Sequence, residues 1–367
     1  MSDFSKISTT HPLRVVLVGA GSMGQQWITA VNQNSEAKLV GIVDVAKEMA
    51  EKAKSFSGQK DVLIGTDFLD VAKKASADVI LNVTTPGAHL DVSVRALLNG
   101  YQVLTEKPLT EDLKQAHVVV AAAQFSGNLI MVSQSRRWNP DAFEFRQMID
   151  SLGAKGILNC LFFKAIRFGG FRDLMDSPLI LDMAIHMFDN ARFLLDSNAK
   201  TVYCHEFNPS WSWYKGDSGA STICEMDNGA IFTFTGNWSS PGAETSWNSE
   251  WRYSGELGSA TWDGDNRPVR YGGVGFEYSK PFEEAGISVA LAQFIYALRT
   301  EKAPMGEVHE NLESLAIVEA ALESSRTKKL VIVDDLLNHA LANALKENAY
   351  PELKGTLDAK WAKEFQR

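Results

Sequence analysis

Residues 15–24 read VVLVGAGSMG. Four apolar residues, three of them β-branched, run straight into Gly19, Gly21 and Gly24. A strand that turns through G-x-G-x-x-G into a helix presents unpaired backbone N–H groups and the positive end of a helix dipole. In that context Gly19 permits the tight turn and Gly21 leaves room for a pyrophosphate, with the amides of Ser22 and Met23 beside it. Gly24 lets the helix close on the strand. The fingerprint therefore predicts a dinucleotide-binding βαβ unit.

Twenty residues beyond Gly24 the strand LVGIVDV brings Asp44 to its end. A carboxylate there accepts from the adenosine ribose hydroxyls and repels a 2′-phosphate. Val45 offers no cation for such a phosphate, and Lys47 is the nearest one. The spacing points to NAD, with NADP less favoured. The plainer reading is that Asp44 caps the following helix.

The chain has 367 residues, 45% hydrophobic and 22% charged, enough for two cores. Its formal net charge of -9 argues against nucleic acid and anionic membranes, which need a basic footprint. Cys160, Cys204 and Cys224 are isolated, which suits a reducing, cytoplasmic setting. The first residues lack an apolar signal core, and no apolar run approaches a membrane span. Met1 to His11 reads as a loose polar arm.

The first third alternates short apolar strands with helical patterns, which implies a parallel sheet covered on both faces. Strands are predicted at Arg14–Val18, Lys38–Asp44, Val62–Ile64, Asp78–Val83, Tyr101–Glu106 and Leu129–Ser133. Beyond a boundary near Gln134–Asn139, a helix opens at Pro140. Alternating strands then follow at Gly156–Phe168, Thr201–Phe207, Ala220–Met226, Ala230–Trp238, Glu250–Gly255 and Ser259–Trp262. Asp227-Asn228-Gly229 marks a hairpin. This half reads as a largely antiparallel sheet with one inserted long helix, Pro178–Leu195, and later helices at Ile287–Arg299 and Glu310–Ser325. The division is 1–134 for the nucleotide domain, 135–333 for a substrate and oligomerisation domain, and 334–367 for a tail, helical to about Lys346 and then irregular.

Two clusters stand at the ends of later strands of the first domain: Thr84-Thr85-Pro86 with His89, and Glu106-Lys107-Pro108. Ligands of a doubly wound sheet lie outside the carboxyl ends of its strands, so both clusters are candidate cofactor contacts. The Lys107 ammonium suits developing negative charge on an oxygen. In the second domain Ser177 and Pro178 suit the start of a helix that carries Asp182, His186 and Asp189 on one face. Three readings stay open there: a solvated stripe, a metal pair, or an acid/base site. The metal reading is weak, because H-x-x-D lacks a second His or Cys, and no metal is assigned. An imidazole is the usual group for moving a hydroxyl proton near neutral pH.

Taken together, the glycine fingerprint, Thr-Pro-x-x-His, Glu-Lys-Pro and Asp-x-x-x-His-x-x-Asp resemble the Gfo/Idh/MocA oxidoreductases, from about Leu13 to Val333. The resemblance implies an α/β Rossmann domain with a doubly wound parallel sheet, then an α+β domain with a large open, mainly antiparallel sheet. It implies a nicotinamide cofactor and hydride transfer to or from a sugar or polyol hydroxyl. It also implies Lys107, Asp182 and His186 as the catalytic set, a Lys107-Pro108 bond that is often cis, and a homodimer or homotetramer formed through the open sheet. Many relatives carry glycines where this chain has Leu179-Ile180-Leu181. The family includes NAD(P)-binding regulators and redox-neutral glycosidases, which remain the alternatives. Arg137, Trp138, Arg167 and Arg172 are candidate substrate contacts, the arginines with surface ion pairs as the plain alternative. Trp211, Trp213, Trp238, Trp247, Trp251 and Trp262 suit sugar stacking and sheet packing equally.

Overall fold

The computed structural model describes residues 4–273, 275–278 and 280–359. In chain order the elements begin with β1 (Leu13–Val18), α1 (Ser22–Gln33), β2 (Ala37–Val43), α2 (Lys47–Ser57), β3 (Leu63–Gly65) and α3 (Phe68–Lys74). They continue with β4 (Val79–Asn82), α4 (Pro86–Leu98), β5 (Gln102–Glu106), α5 (Leu113–Ser126), β6 (Ile130–Ser133) and α6 (Pro140–Asp150). Next come β7 (Ile157–Phe163), a π-helical segment Leu179–Ala184 that runs into α7 (Ile185–Leu195), and β8 (Ala199–Phe207). The sheet strands β9 (Gly219–Met226), β10 (Ile231–Asn237), β11 (Glu250–Gly255), β12 (Gly258–Trp262) and β13 (Val269–Gly272) follow. The chain then runs through α8 (Ile287–Thr300), α9 (Val308–Thr327), β14 (Val331–Ile332), α10 (Val333–Glu347) and α11 (Lys354–Ala359).

Two compact units result. The first holds the described residues up to Ser135, Gly286–Leu312, and those from His339 onward; the second holds Arg136–Ala285 and Glu313–Asn338. The expected domains are consecutive along the chain. The observed units interleave, because α9 and α10 each straddle the division.

The first unit carries a six-stranded sheet in the order β3-β2-β1-β4-β5-β6. Its strand pairs are parallel throughout. The strands are apolar because helices cover both faces, and β4 and β6 are buried at every position. Asp67 and Asp112 cap α3 and α5, accepting from the N–H groups of Asp70 and Gln115. The N-terminal arm is not loose where it is described. Phe4 is buried, Ser5 N–H donates to Gly127, Ile7 N–H donates to Leu298, and Arg299 holds the carbonyls of Ile7, Thr9 and His11. The tail is not irregular after Lys346 either: Leu353 and Leu357 are buried and α11 lies on α5. Apolar side chains at both ends explain the tethering.

The second unit carries an eight-stranded sheet in the order β13-β12-β11-β7-β10-β9-β8-β14. Every pair is antiparallel except β7 with β10. The Asp227-Asn228-Gly229 turn joins β9 to β10, with Gly229 at φ +81. Burial along β8 alternates, so one sheet face is packed and the other open. Helix α7 is buried along its whole length and docks Phe188 edge-on against Phe232 and Phe234 of β10. All three cysteines point into the core as free thiols.

The segment expected to open as an α-helix at Pro178 is π-helical through Ala184 instead. Ser177 does not cap it; its hydroxyl bonds the buried Glu206 carboxyl on β8. Burial pushes Glu206 up to about 7, and nearby Asp217 adds to this, while Ser177, Ser325 and Lys328 oppose it. The folded value lies above an unfolded value of about 4.3, so ionisation costs the folded state. The Glu206 contribution to stability is therefore present at acid pH and is lost as pH rises from about 4.5 to about 7. Urea midpoints across that window are expected to fall less steeply in Glu206→Gln than in the parent. Parallel curves for the two proteins would show that Glu206 does not titrate in this window.

Candidate functional site

The three fingerprint glycines have different structural reasons. Gly19 has φ +103, and a Cβ there would lie 2.4 Å from the Val83 carbonyl oxygen. A Cβ on Gly24 would lie 2.3 Å from the Gly19 carbonyl oxygen. Both are demanded by chain approaching chain. Gly21 is different: it takes ordinary extended angles at the N-cap of α1, and a Cβ there meets nothing within 4 Å. No side chain caps α1 at that end. An exposed cradle of helix N-terminal amides, kept bare by a glycine that the fold itself does not need, fits a pyrophosphate.

Asp44 accepts from the Ala20 N–H at 2.8 Å through Oδ2 and from the Ala46 N–H at 2.9 Å through Oδ1. It thus ties the glycine turn to the start of the α2 connection. A carboxylate has about four acceptor positions, so capacity remains for ribose hydroxyls. Val45 is 94% exposed, and Lys47 is paired with Glu51.

At the end of β4, buried Asn82 accepts from the Thr84 hydroxyl at 2.7 Å and donates to the Ser93 hydroxyl at 3.2 Å. Thr85 occupies the N-cap position of α4 without a side-chain capping bond, and Pro86 follows in the first turn. His89 is fully buried, with Nδ1 2.6 Å from the Pro108 carbonyl and Nε2 3.1 Å from that of Thr84. Burial holds His89 below the usual imidazole range. Both ring nitrogens lie against main-chain carbonyls, and a neutral imidazole donates to one of them; fully buried, His89 bolts one strand end to the next and is not exposed to a cofactor, which corrects the sequence reading. The Lys107-Pro108 bond is cis. Glu106 accepts from the Trp27 indole at 2.8 Å and from the Lys107 N–H at 3.3 Å, and burial holds it above its ordinary value. Glu106 therefore anchors the loop that carries Lys107.

In the second unit Arg172 Nε donates to Asp182 Oδ2 at 2.5 Å, and Arg172 stacks over Phe168 and Phe171. His186, one helical step beyond Asp182, is 7% exposed. The three-residue stripe is split. Asp189 belongs to a buried network in which Arg137 donates to both its oxygens, at 2.9 and 2.7 Å, and the Ser314 hydroxyl donates at 2.7 Å. Arg137, 3% exposed, is thereby committed to the fold and is not a substrate contact. Trp138, 4% exposed, sits among Phe143 and Phe282 and is core as well. Both corrections have one cause: adjacent sequence positions entered a core that the local pattern does not reveal. Arg167 is exposed over the Trp213 ring, its carbon 4.2 Å from the centroid. Trp238, Trp251 and Trp262 are buried, whereas Trp211 and Trp247 are exposed.

Sequence reasoning missed Asn82, Trp27, Arg136 and Lys164. Asn82 precedes the Thr-Thr-Pro cluster and Arg136 precedes Arg137, so neighbourhood alone had flagged the vicinity of both. Lys164 follows β7, is 7% exposed, and pairs with Glu244 at 3.1 Å.

Residues 13–134 match a family model described as an oxidoreductase family with an NAD-binding Rossmann fold, and residues 171–261 match the GFO/IDH/MocA C-terminal domain. Inositol 2-dehydrogenase 4 of Saccharopolyspora erythraea is 34% identical over 53% of this chain and 57% of its own length. Inositol 2-dehydrogenase of Rhodococcus erythropolis is 24% identical over 92% of this chain and 100% of its own. An oxidoreductase of Agrobacterium radiobacter, solved with NAD+, L-tartaric acid and magnesium, superposes with a TM-score of 0.78 at 18% identity, covering 88% of this chain and 99% of that one.

The glycines give a paired expectation. Gly21→Ala is expected to cost no more than about 1 kcal/mol of stability yet to weaken NAD binding at least tenfold by titration calorimetry. Gly24→Ala is expected to cost about 2–3 kcal/mol by forcing backbone apart. Ordinary NAD affinity in Gly21→Ala would remove the pyrophosphate from this turn.

Proposed function

We propose that this chain, which belongs to the Gfo/Idh/MocA oxidoreductase family, is an NAD-dependent dehydrogenase that oxidises a secondary hydroxyl of a sugar or polyol, or runs the reverse reduction. The observation that carries the reading is the pairing of Asp182 with Arg172 one helical step from buried His186. Asp182 and His186 stand four residues apart where a π-helical segment runs into α7, a pair of acid/base residue types that a binding regulator does not require. The inositol 2-dehydrogenases among the relatives support a polyol substrate.

When bound, the nicotinamide supplies the hydride chemistry. Gly21, Ser22 and Met23 hold the pyrophosphate and Asp44 holds the ribose. The exposed Val45, and a Lys47 already paired with Glu51, favour NAD over NADP. His186 takes the hydroxyl proton. Lys107, in the loop after β5, is a further catalytic candidate, its ammonium suited to developing negative charge on an oxygen. Asp182 orients His186.

A spectrophotometric NADH screen over inositols, aldoses and sugar acids, with NADP run beside NAD, tests the reading. Lys107→Ala and His186→Ala are each expected to lower kcat by about a hundredfold or more with NAD affinity little changed. NAD binding with no turnover on the panel would leave a regulator. Release of a chromogenic aglycone without NADH would leave a redox-neutral glycosidase.

We propose further that the chain acts as a cytoplasmic homodimer or homotetramer joined through the open sheet face. Tyr203 pairs directly with Ile223 across β8 and β9, and the register continues through Thr233 to Asn159, which lies between Ile157 and Leu161 on β7. Tyr203, Ile223, Ile157 and Leu161 are all exposed on one sheet face, with Thr233 and Asn159 between the two pairs, and exposed apolar side chains on a sheet face suit a contact surface. Light scattering is expected to show an oligomer that Tyr203→Glu with Ile223→Glu dissociates; a monomeric parent protein would exclude it.

A further inference from the structure

In the second unit, buried Arg137 and Lys164 pair with Asp189 and Glu244, buried Arg192 bonds Asn198 and Ser314, and half-buried Arg172 pairs with Asp182. Arg136 departs from this. Its Nη1 donates to the Trp247 carbonyl and to Asn248 Oδ1, and its guanidinium lies 5.7 Å from the Trp247 ring centroid. Its Nη2 faces only the Met183 thioether, at 4.0 Å, and its Nε is buried without a partner. Burial pulls Arg136 down to about 10, with no carboxylate contributing. Arg136 as a whole is half-buried, but an Nε shut off from solvent without an acceptor is costly, and a thioether is a weak acceptor.

The Nε–Nη2 side of a guanidinium is one of the edges that makes two parallel bonds to a carboxylate or phosphate. In Arg136 this is the edge the protein leaves unsatisfied. Its thioether neighbour, Met183, lies between Asp182 and His186 in the sequence of the catalytic helix. The Trp247 ring it covers also lies 5.2 Å from the Lys164 ammonium. The chain as a whole carries a formal net charge of -9, so an anionic ligand meets repulsion unless a local cation receives it.

We infer that the second unit takes a polyhydroxy substrate bearing a carboxylate or phosphate, whose anionic group is held by the Nε–Nη2 edge of Arg136. The inference rests on the dehydrogenase reading for its setting, but its test does not depend on turnover. The full-length protein saturated with NAD is titrated calorimetrically with matched compounds: D-glucuronate, D-glucose 6-phosphate and D-glucose, then D-galacturonate, D-galactose 6-phosphate and D-galactose. The expected result is that at least one anionic member binds ten times more tightly than its neutral counterpart, with the preference shrinking as salt is raised. The tighter anion then separates a sugar acid from a sugar phosphate. Arg136→Gln is expected to bring that anion and its neutral counterpart to within about twofold of each other, and Arg136→Lys to restore part of the preference.

Equal affinity for neutral and anionic members in the parent protein, or no binding by any member, would overturn the inference, and this holds even if Arg136→Gln does not fold. An unchanged preference in a folded Arg136→Gln would overturn it too. Anion binding without NADH formation on any polyol would keep the anion site and remove the dehydrogenase. Turnover of neutral polyols without an anion preference would do the reverse.

Discussion

The turn after β1 is held by contacts so close that side chains are excluded from it. Gly19 N–H donates to Val43 at 2.8 Å, and its Cα faces the Val83 carbonyl. The first turn of α1 closes on the Gly19 carbonyl through Gly24. One short loop thereby joins the ends of β1, β2 and β4 to the start of α1. The parallel sheet positions those strand ends, and Asp44 adds a hydrogen bond from the Ala20 N–H. Because the loop is immobilised from behind, its amides face outward as a preorganised anion cradle. Gly21 is bare on the one side where the protein supplies no neighbour.

The second unit distributes its charges by a different rule. Arg137 and Asp189 are both buried and satisfy each other with two hydrogen bonds, which Ser314 and Arg192 extend. Removing one partner of such a pair strands a buried charge, at a cost of about 3–5 kcal/mol. Those groups hold α7 in place. Arg172 and Asp182 form a second, partly exposed pair at the π-helical start of the same helix. π-Turns widen a helix locally and recur at functional sites. One continuous stretch of chain therefore carries a structural ion pair at one end and a chemically accessible one at the other. Arg136 and Arg137, adjacent in sequence, fall on opposite sides of that distinction.

Much of the architecture was legible before any coordinates. Each of β1 to β6 was read to within a residue or so at its ends, because buried parallel strands are short, apolar and bounded by turn residues. The β9–β10 hairpin was legible in Asp227-Asn228-Gly229, whose glycine takes the left-handed angle the turn requires. β13 and β14 escaped notice: four and two residues leave too short a record for period-two alternation to register. The ordered N-terminal arm and α11 escaped for another reason. Single residues such as Phe4, Leu353 and Leu357 anchor them, and one apolar side chain carries no periodicity.

The candidate site divides the same way. The spacing of the three glycines followed from the sequence, because backbone sterics admit few alternatives at Gly19 and Gly24. Which guanidinium is free to meet a ligand did not follow. Arg136, Arg137, Arg167 and Arg172 are equivalent in composition, and they differ in whether a carboxylate from a distant segment reaches them. Asp189 lies 52 positions from Arg137, and such a pairing is fixed only by how strands and helices stack. Local geometry and chemical type are properties of short stretches, so the sequence determined them. Charge compensation is a property of the assembled interior, and only the tertiary structure decided it.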